Sequence, residues 1–334
     1  MNVTPLFRVE GDQHVVILMN GTIQAKPTKV WPNLLFFGLT LLCVMFVGGG
    51  YGNPSATVPT SVNGWIQFLL GGLPFAIALL AILACHEFGH YLAARFHKTA
   101  VTLPFFIPLP VGFGTLGAFI QLKEPPRNRR ILLDIGIAGP LAGLIVALPI
   151  LLYGLAHSPV ERLPMQLPLL QGFEGNSILY LLLKFIVKGQ ILPQPSTYAG
   201  LNPIIYWIRY FFTGRPLPAG GLDVSLNPIA WAGWIGLLVT ALNLIPAGQL
   251  DGGHVMYVLL GKRASKLLPF ILLVLVGLSF VYQGWLIWAA LVFLLGRFHA
   301  EPLDQITPLD PKRRLIAILG VIIFVLVFMP VPLS

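Results

Sequence analysis

The chain has 334 residues, of which 56% are hydrophobic and only 10% are charged, and its mean hydropathy is +0.81. A soluble domain carries roughly 25% charged residues, so this composition excludes a soluble enzyme, a disordered regulator and a disulfide scaffold. The net charge of +9 does not suggest nucleic acid, because the cations sit between apolar runs without interleaved stacking aromatics and read as topology determinants.

Residues 1–30 are mixed and polar and are expected to form a cytosolic N-terminal segment without a cleavable signal peptide. A spanning helix needs about 20 apolar residues. The first such run is Trp31–Val47, so that 31–65 holds the first transmembrane helix and an outer loop. A second run starts near Ile66 or Pro74 and continues to Phe96, where Cys85 reads, like Cys43 in the first run, as a free membrane thiol. Val101–Leu122 is broken by Pro104, Pro108, Pro110 and several glycines and reads as short extended pieces. Irregular backbone at membrane depth is tolerated only against protein or a wet cavity, which makes this segment a candidate wall of a site.

The third run is Ile131–Tyr153. Residues 178–187 and 204–212 are apolar but too short to span, and are expected to be interfacial helices holding a cation and aromatics near headgroups. The fourth run, Pro228–Ile245, is interrupted at Pro246 and Gly248. Leu267–Val281, Trp285–Leu295 and Leu315–Met329 follow; the middle one is short, either tilted or a partial span.

The expected fold is an all-α polytopic membrane protein of about seven transmembrane helices. With the N-terminus inside, sixteen Lys and Arg fall on the inner side and five outside, namely Arg162, Lys184, Lys188, Arg209 and Arg215. The positive-inside rule therefore predicts a multi-pass protein of the cell membrane with a cytosolic N-terminus and an external C-terminus.

Chemistry concentrates in two places. Cys85-His-Glu-Phe-Gly-His90 is an H-E-x-x-H sequence inside an apolar run. On a helix His86 and His90 share one face, where both imidazoles can reach one Zn²⁺, and Glu87 beside them can take a proton from an attacking water. Three ionisable groups in a membrane helix cost several kcal/mol unless paired or coordinated. A third ligand is needed. Asp134, near a helix start, reads as an N-terminal charge or a group behind the ligands, whereas Asp251 follows the broken fourth run and reads as either a helix cap or a ligand. His254 is either a partner of a ligand or a polar helix-start residue facing the cavity; His14, His97, His157 and His299 read as surface residues.

The pair H-E-F-G-H at 86–90 and N-L-I-P-A-G-Q-L-D-G-G at 243–253 resembles the site-2 protease family of intramembrane zinc metalloproteases, and Asp134–Gly143 resembles that family's middle core helix. The similarity covers a catalytic core at 66–261, leaving 262–334 as C-terminal transmembrane helices. Neither a PDZ nor a CBS segment is legible, so the layout is closer to the PDZ-less branch. The resemblance implies one Zn²⁺ held by His86, His90 and Asp251, with Glu87 as catalytic base. It also implies that Asn243 helps position the substrate or polarise its carbonyl, and that a small membrane-associated β-hairpin within 111–120, containing Gly114, Thr115 and Gly117, presents an edge to the substrate. The implied activity is endopeptidase cleavage, near the cytosolic side of the bilayer, of single-span membrane-protein substrates. A zinc or cation transporter and a proteolytically silent helix-binding protein are the alternatives. Gly139 and Gly143 fit close approach to the zinc helix or ordinary packing equally well.

Overall fold

The computed structural model describes residues 3–10, 13–21, 29–52, 59–163, 173–214, 218, 220–296 and 301–333; Lys26, Arg215, Arg297 and His299 lie outside the described residues. β1 (Val3–Glu10) and β2 (Gln13–Asn20) pair as an antiparallel hairpin where the sequence showed only a polar segment. The hairpin is tied to the 303–305 stretch: the Phe7 amide donates to Leu303 O (2.9 Å), the Gln305 amide to Phe7 O (3.1 Å), and the Arg8 guanidinium to Leu303 O (2.8 Å).

α1 (Trp31–Gly52) and the short α2 (Val62–Gly71) lead into α3 (Leu73–Phe96). A second hairpin, β3 (Phe105–Pro108) with β4 (Thr115–Phe119), packs beside α1 and precedes α4 (Arg129–Ala156). At 1.5 Å per residue, α1, α3 and α4 measure about 33, 36 and 42 Å, longer than the roughly 30 Å hydrocarbon core. Among the described residues these three helices are long and apolar enough to cross a membrane alone.

β5 (Val160–Arg162), α5 (Ile178–Lys188), α6 (Pro203–Thr213) and β6 (Leu222–Val224) build a layer at the end where α4 finishes, closed by β5–β6 pairing. Lys184 of α5, expected at headgroups, is fully buried instead. Its Nζ lies 3.3 Å from Asp223 Oδ1, 4.0 Å from Glu174 Oε1 and over the Tyr180 ring. Two buried carboxylates at one spot need a counter-charge, and that outweighs the pull of the interface on the amine. Burial, and then the neighbouring Asp223, raise the Glu174 carboxyl to about 7 against the opposing effect of Lys184.

α7 (Pro228–Asn243) starts at Asn227, whose side chain accepts the Ala230 amide (2.8 Å). It is enclosed by α3 and α4, with Trp234 and Leu237 fully buried among Leu79, Leu151 and Leu155. The helix stops where the sequence breaks it: 244–250 is irregular, Gly248 takes φ +53°, and α8 (Asp251–Leu260) begins at once.

After a 3₁₀ segment, Gly261–Leu267, α9 (Leu268–Leu278) and α10 (Gly284–Gly296) form a hairpin, and α11 (Pro311–Val327) ends the helical part. α9 is about 17 Å long and α10 about 20 Å; α9 falls short of the run that suggested it because the chain turns at 279–283. The final stretch, 329–333, folds back as a strap. The Gly175 amide donates to Pro332 O (2.8 Å) and the Trp285 indole to Pro330 O (2.6 Å).

Large apolar side chains such as Leu34, Leu42, Ile145, Leu273, Phe280 and Leu319 are exposed around the bundle. A belt of this size needs an apolar medium.

Candidate metal centre

α3 (Leu73–Phe96) carries His86 and His90 one turn apart, the first about 20 Å from its start and the second about 9 Å from its end. Both are buried, as is Glu87. The fourth-run break brings Asp251 to them from α8: its Oδ2 lies 3.3 Å from His86 Nε2 and 3.3 Å from His90 Nε2, and the two Nε2 atoms are 3.2 Å apart. Among the described residues this is the one group of His, Cys, Asp and Glu close enough to share a metal ion. Ligands at about 2.0–2.1 Å in a tetrahedral zinc site stand about 3.3–3.4 Å from one another, so the triangle matches one face of such a tetrahedron. His90 Nδ1–H donates to Ile135 O of α4 (2.7 Å), which directs the Nε2 lone pair at the site. Asp251 does not cap α8, whose preceding residue is Leu250; its carboxylate turns to the histidines.

Two glycines of α4 make the room. A Cβ at Gly139 would overlap the His90 imidazole, and one at Gly143 would stand 3.2 Å from His86 Cβ and Nδ1. Their spacing therefore admits the His90 and His86 side chains themselves, which combines the close-approach and packing alternatives. The Asn243 amide nitrogen, at the end of α7, lies 3.5 Å from His86 Nε2.

Two cavities meet at this point. One, about 280 Å³, is apolar: Leu79, Leu83, Phe113, Leu238 and Leu242 line it with His86, Glu87 and Asn243. The other, about 230 Å³, is lined by His86, His90, Asp251, Glu87, Asn243, Gln249 and His254. His254 faces this second cavity from within α8, packed on Gly136.

The hairpin residues separate. Thr115 and Gly117 line the apolar cavity, and the Thr115 hydroxyl donates to Ile107 O (2.8 Å) while accepting the Gly117 amide (2.9 Å). Gly114 turns the other way. At φ +85°, its backbone lies against Val44 of α1 where a Cβ would not fit, so it shapes the hairpin and does not line the cavity. Glu87 accepts a hydrogen bond from the Ile120 amide, just beyond β4.

Asp134 is not in the metal triangle. It sits in the second turn of α4, past the reach of the helix N-terminus, and takes the Arg313 guanidinium in two bonds (2.9 and 2.6 Å). His97, expected at the surface, contacts its Oδ2 at 2.9 Å. The end of α3, α4 and the start of α11 are thus pinned together. Arg313 Nη1 also donates to Asp310 Oδ2 (2.8 Å), and these bonds hold the Asp310 carboxyl below its usual range.

The profile of peptidase family M50 matches residues 74–281. A protein of Arabidopsis thaliana named "Probable zinc metalloprotease EGY2, chloroplastic" is 28% identical over 97% of this chain and 56% of its own length. A second from that plant, "Probable zinc metalloprotease EGY1, chloroplastic", is 30% identical over 84% of this chain and 46% of its own. A rice protein carrying the EGY2 name is 28% identical over 98% and 55% respectively. The chain thus spans about half the length of the curated relatives it matches. No solved structure matches it. By the span of the family match, with its two motifs joined at one buried triangle, the chain belongs to peptidase family M50, the site-2 protease family.

Proposed function

We propose that the chain is a membrane-embedded zinc metalloendopeptidase that cuts peptide bonds in or near transmembrane segments, as in regulated intramembrane proteolysis. The observation that carries this is the meeting of an apolar and a polar cavity at His86, Glu87 and Asn243. Hydrolysis inside a bilayer needs an apolar place for the substrate and a polar route for water, and a transport site has no use for a carboxylate placed as Glu87 is.

His86, His90 and Asp251 would hold the ion. When bound, zinc supplies Lewis acidity, which makes water a usable nucleophile at neutral pH and stabilises charge on the carbonyl oxygen. Glu87, beside both histidines and open to the polar cavity, takes the proton of the attacking water and returns it to the leaving amine. The Asn243 amide, near His86, is placed to donate to the substrate carbonyl. A substrate helix must unwind to expose its bond, and the freed amides need partners. β4 belongs to a two-stranded sheet, so one of its edges has no ladder partner among the described residues, and that is the edge to which the substrate strand adds in this reading.

The substrates in this reading are single-span membrane proteins. The chain passes the bilayer seven times, through α1, α3, α4, α7, the shortened α9–α10 hairpin and α11, with the N-terminus and active site toward the cytosolic side of the cell membrane. The sixteen-to-five cation split supports that orientation. The meeting of β1, the 126–128 stretch and the 303–305 stretch at one end of the bundle fits an even number of crossings between them. The core is 66–261, with 262–334 completing its walls.

The test uses the purified full chain in detergent. One zinc per chain, loss of cleavage of a single-span substrate on chelation and recovery on zinc addition are expected. Zinc bound without cleavage, or zinc flux in vesicles, would replace the peptidase with a silent binder or a transporter.

A further inference from the structure

The apolar cavity has a wall that the two motifs do not supply. Besides His86 and Glu87 it is lined by Tyr282 and Trp288 from the α9–α10 hairpin and by Pro332 and Leu333 from the strap. All four lie outside residues 66–261. The wall is held in place at several points. Trp285, one turn before Trp288, is buried with its indole on Pro330 O (2.6 Å). The Gly175 amide holds Pro332 O (2.8 Å), and Leu333 bridges to Glu174. These contacts fix the strap backbone and the turn of α10 that carry Leu333 and Trp288, and a wall built on fixed backbone sets the size of a space.

We infer that Trp288 and Leu333 are specificity-determining residues. They line the apolar cavity with His86 and Glu87 and select a large aliphatic side chain, next to the cut bond, on a substrate strand laid along β4. This rests on the peptidase reading above and names the substrate feature its site accepts. In an extended strand alternate side chains point to one side, so the residue facing the cavity enters it. Glu87 apart, no charged group among the described residues lines the space, so a charged or strongly polar side chain would be desolvated there without a partner. At about 280 Å³ the space admits a branched aliphatic group beside the substrate backbone, and the Trp288 ring is the part whose removal enlarges it.

The test compares cleavage of one single-span substrate carrying Ala, Leu, Trp or Asp beside the cut bond, using the full chain in lipid vesicles. The wild type is expected to prefer Leu over Ala, Trp and Asp. Trp288→Ala should lower the Leu-to-Trp preference by about tenfold or more, a usual scale for a resized apolar pocket. Leu333→Ala, which removes a side chain from the other side of the wall, should move it the same way. A second readout does not depend on turnover: a photo-crosslinking amino acid at position 288, in the Glu87→Gln background, should capture the substrate within a few residues of the cut site. Unchanged preference in both zinc-loaded variants, or capture only far from the cut site, overturns the inference while leaving the peptidase standing. Absence of all cleavage by the zinc-loaded wild type overturns both.

Discussion

The His90 imidazole fills the space that a side chain at Gly139 would need. One turn on, Gly143 faces His86 in the same way, so α4 presents a smooth strip of backbone against which both imidazole rings are laid, and its Ile135 carbonyl fixes one of them.

Gly139→Ala should therefore act on the metal before it acts on the fold. The new methyl displaces His90 from the triangle, and zinc content should fall well below one per chain while the helical circular dichroism is retained. Full zinc occupancy in this variant would show that the ring has another place to go.

Asp251 and Asp134 are both acids at membrane helices, and the structure separates them. Asp251→Asn should lose most bound zinc, since it removes the anionic corner of the triangle. Asp134→Asn should keep the zinc and lose thermal stability instead, because it breaks the bidentate Arg313 contact. Parallel metal analysis and melting curves distinguish the two losses.

How much of this was legible in the sequence follows from range. His86 and His90 are four residues apart on one helix, so their spacing alone placed both rings on one face. The break after Asn243 was announced by Pro246 and Gly248, and resemblance in motif order supplied Asp251. The His97–Asp134–Arg313 tie was not legible, since its acid and arginine are 179 residues apart. Lys184 misled for a related reason. Locally it looked like an interfacial cation, and its partner Asp223 lies 39 residues on. The carbonyl of Ile135 carries no sequence signal, because every residue has one. The N-terminal hairpin is local, Glu10 pairing with Gln13, and the Gly11-Asp12 pair between two apolar-rich runs is a hairpin signal that a reading by composition passes over. Only its tie to the 303–305 stretch is long-range.

The buried acid at 174 gives a pH dependence with a definite sign. Its folded-state value, about 7, is above the ordinary 4.5, so the folded chain holds that proton more tightly than the unfolded one. Stability from this group is then complete below about pH 4.5 and is lost as pH rises toward 7. The melting temperature of the wild type should drop between pH 5 and pH 8 by more than that of Glu174→Gln, which cannot ionise. An equal drop in both would place the titration elsewhere.

Lys184→Met should cost about 3–5 kcal/mol of stability, the usual penalty for stripping one partner from a buried ionic group, with Glu174 and Asp223 left facing each other. Introducing Glu174→Gln and Asp223→Asn alongside it should restore much of the loss in denaturation measurements.

In the proposed function Glu87 moves the proton without holding the metal, and one paired measurement reaches this: zinc content and cleavage of the same single-span substrate by Glu87→Gln. Glutamine keeps the size of the side chain but cannot accept the proton. The account predicts close to one zinc per chain and a loss of cleavage of about 10²–10⁴-fold or more. Substantial cleavage by the zinc-loaded variant, or loss of the zinc itself, would contradict it.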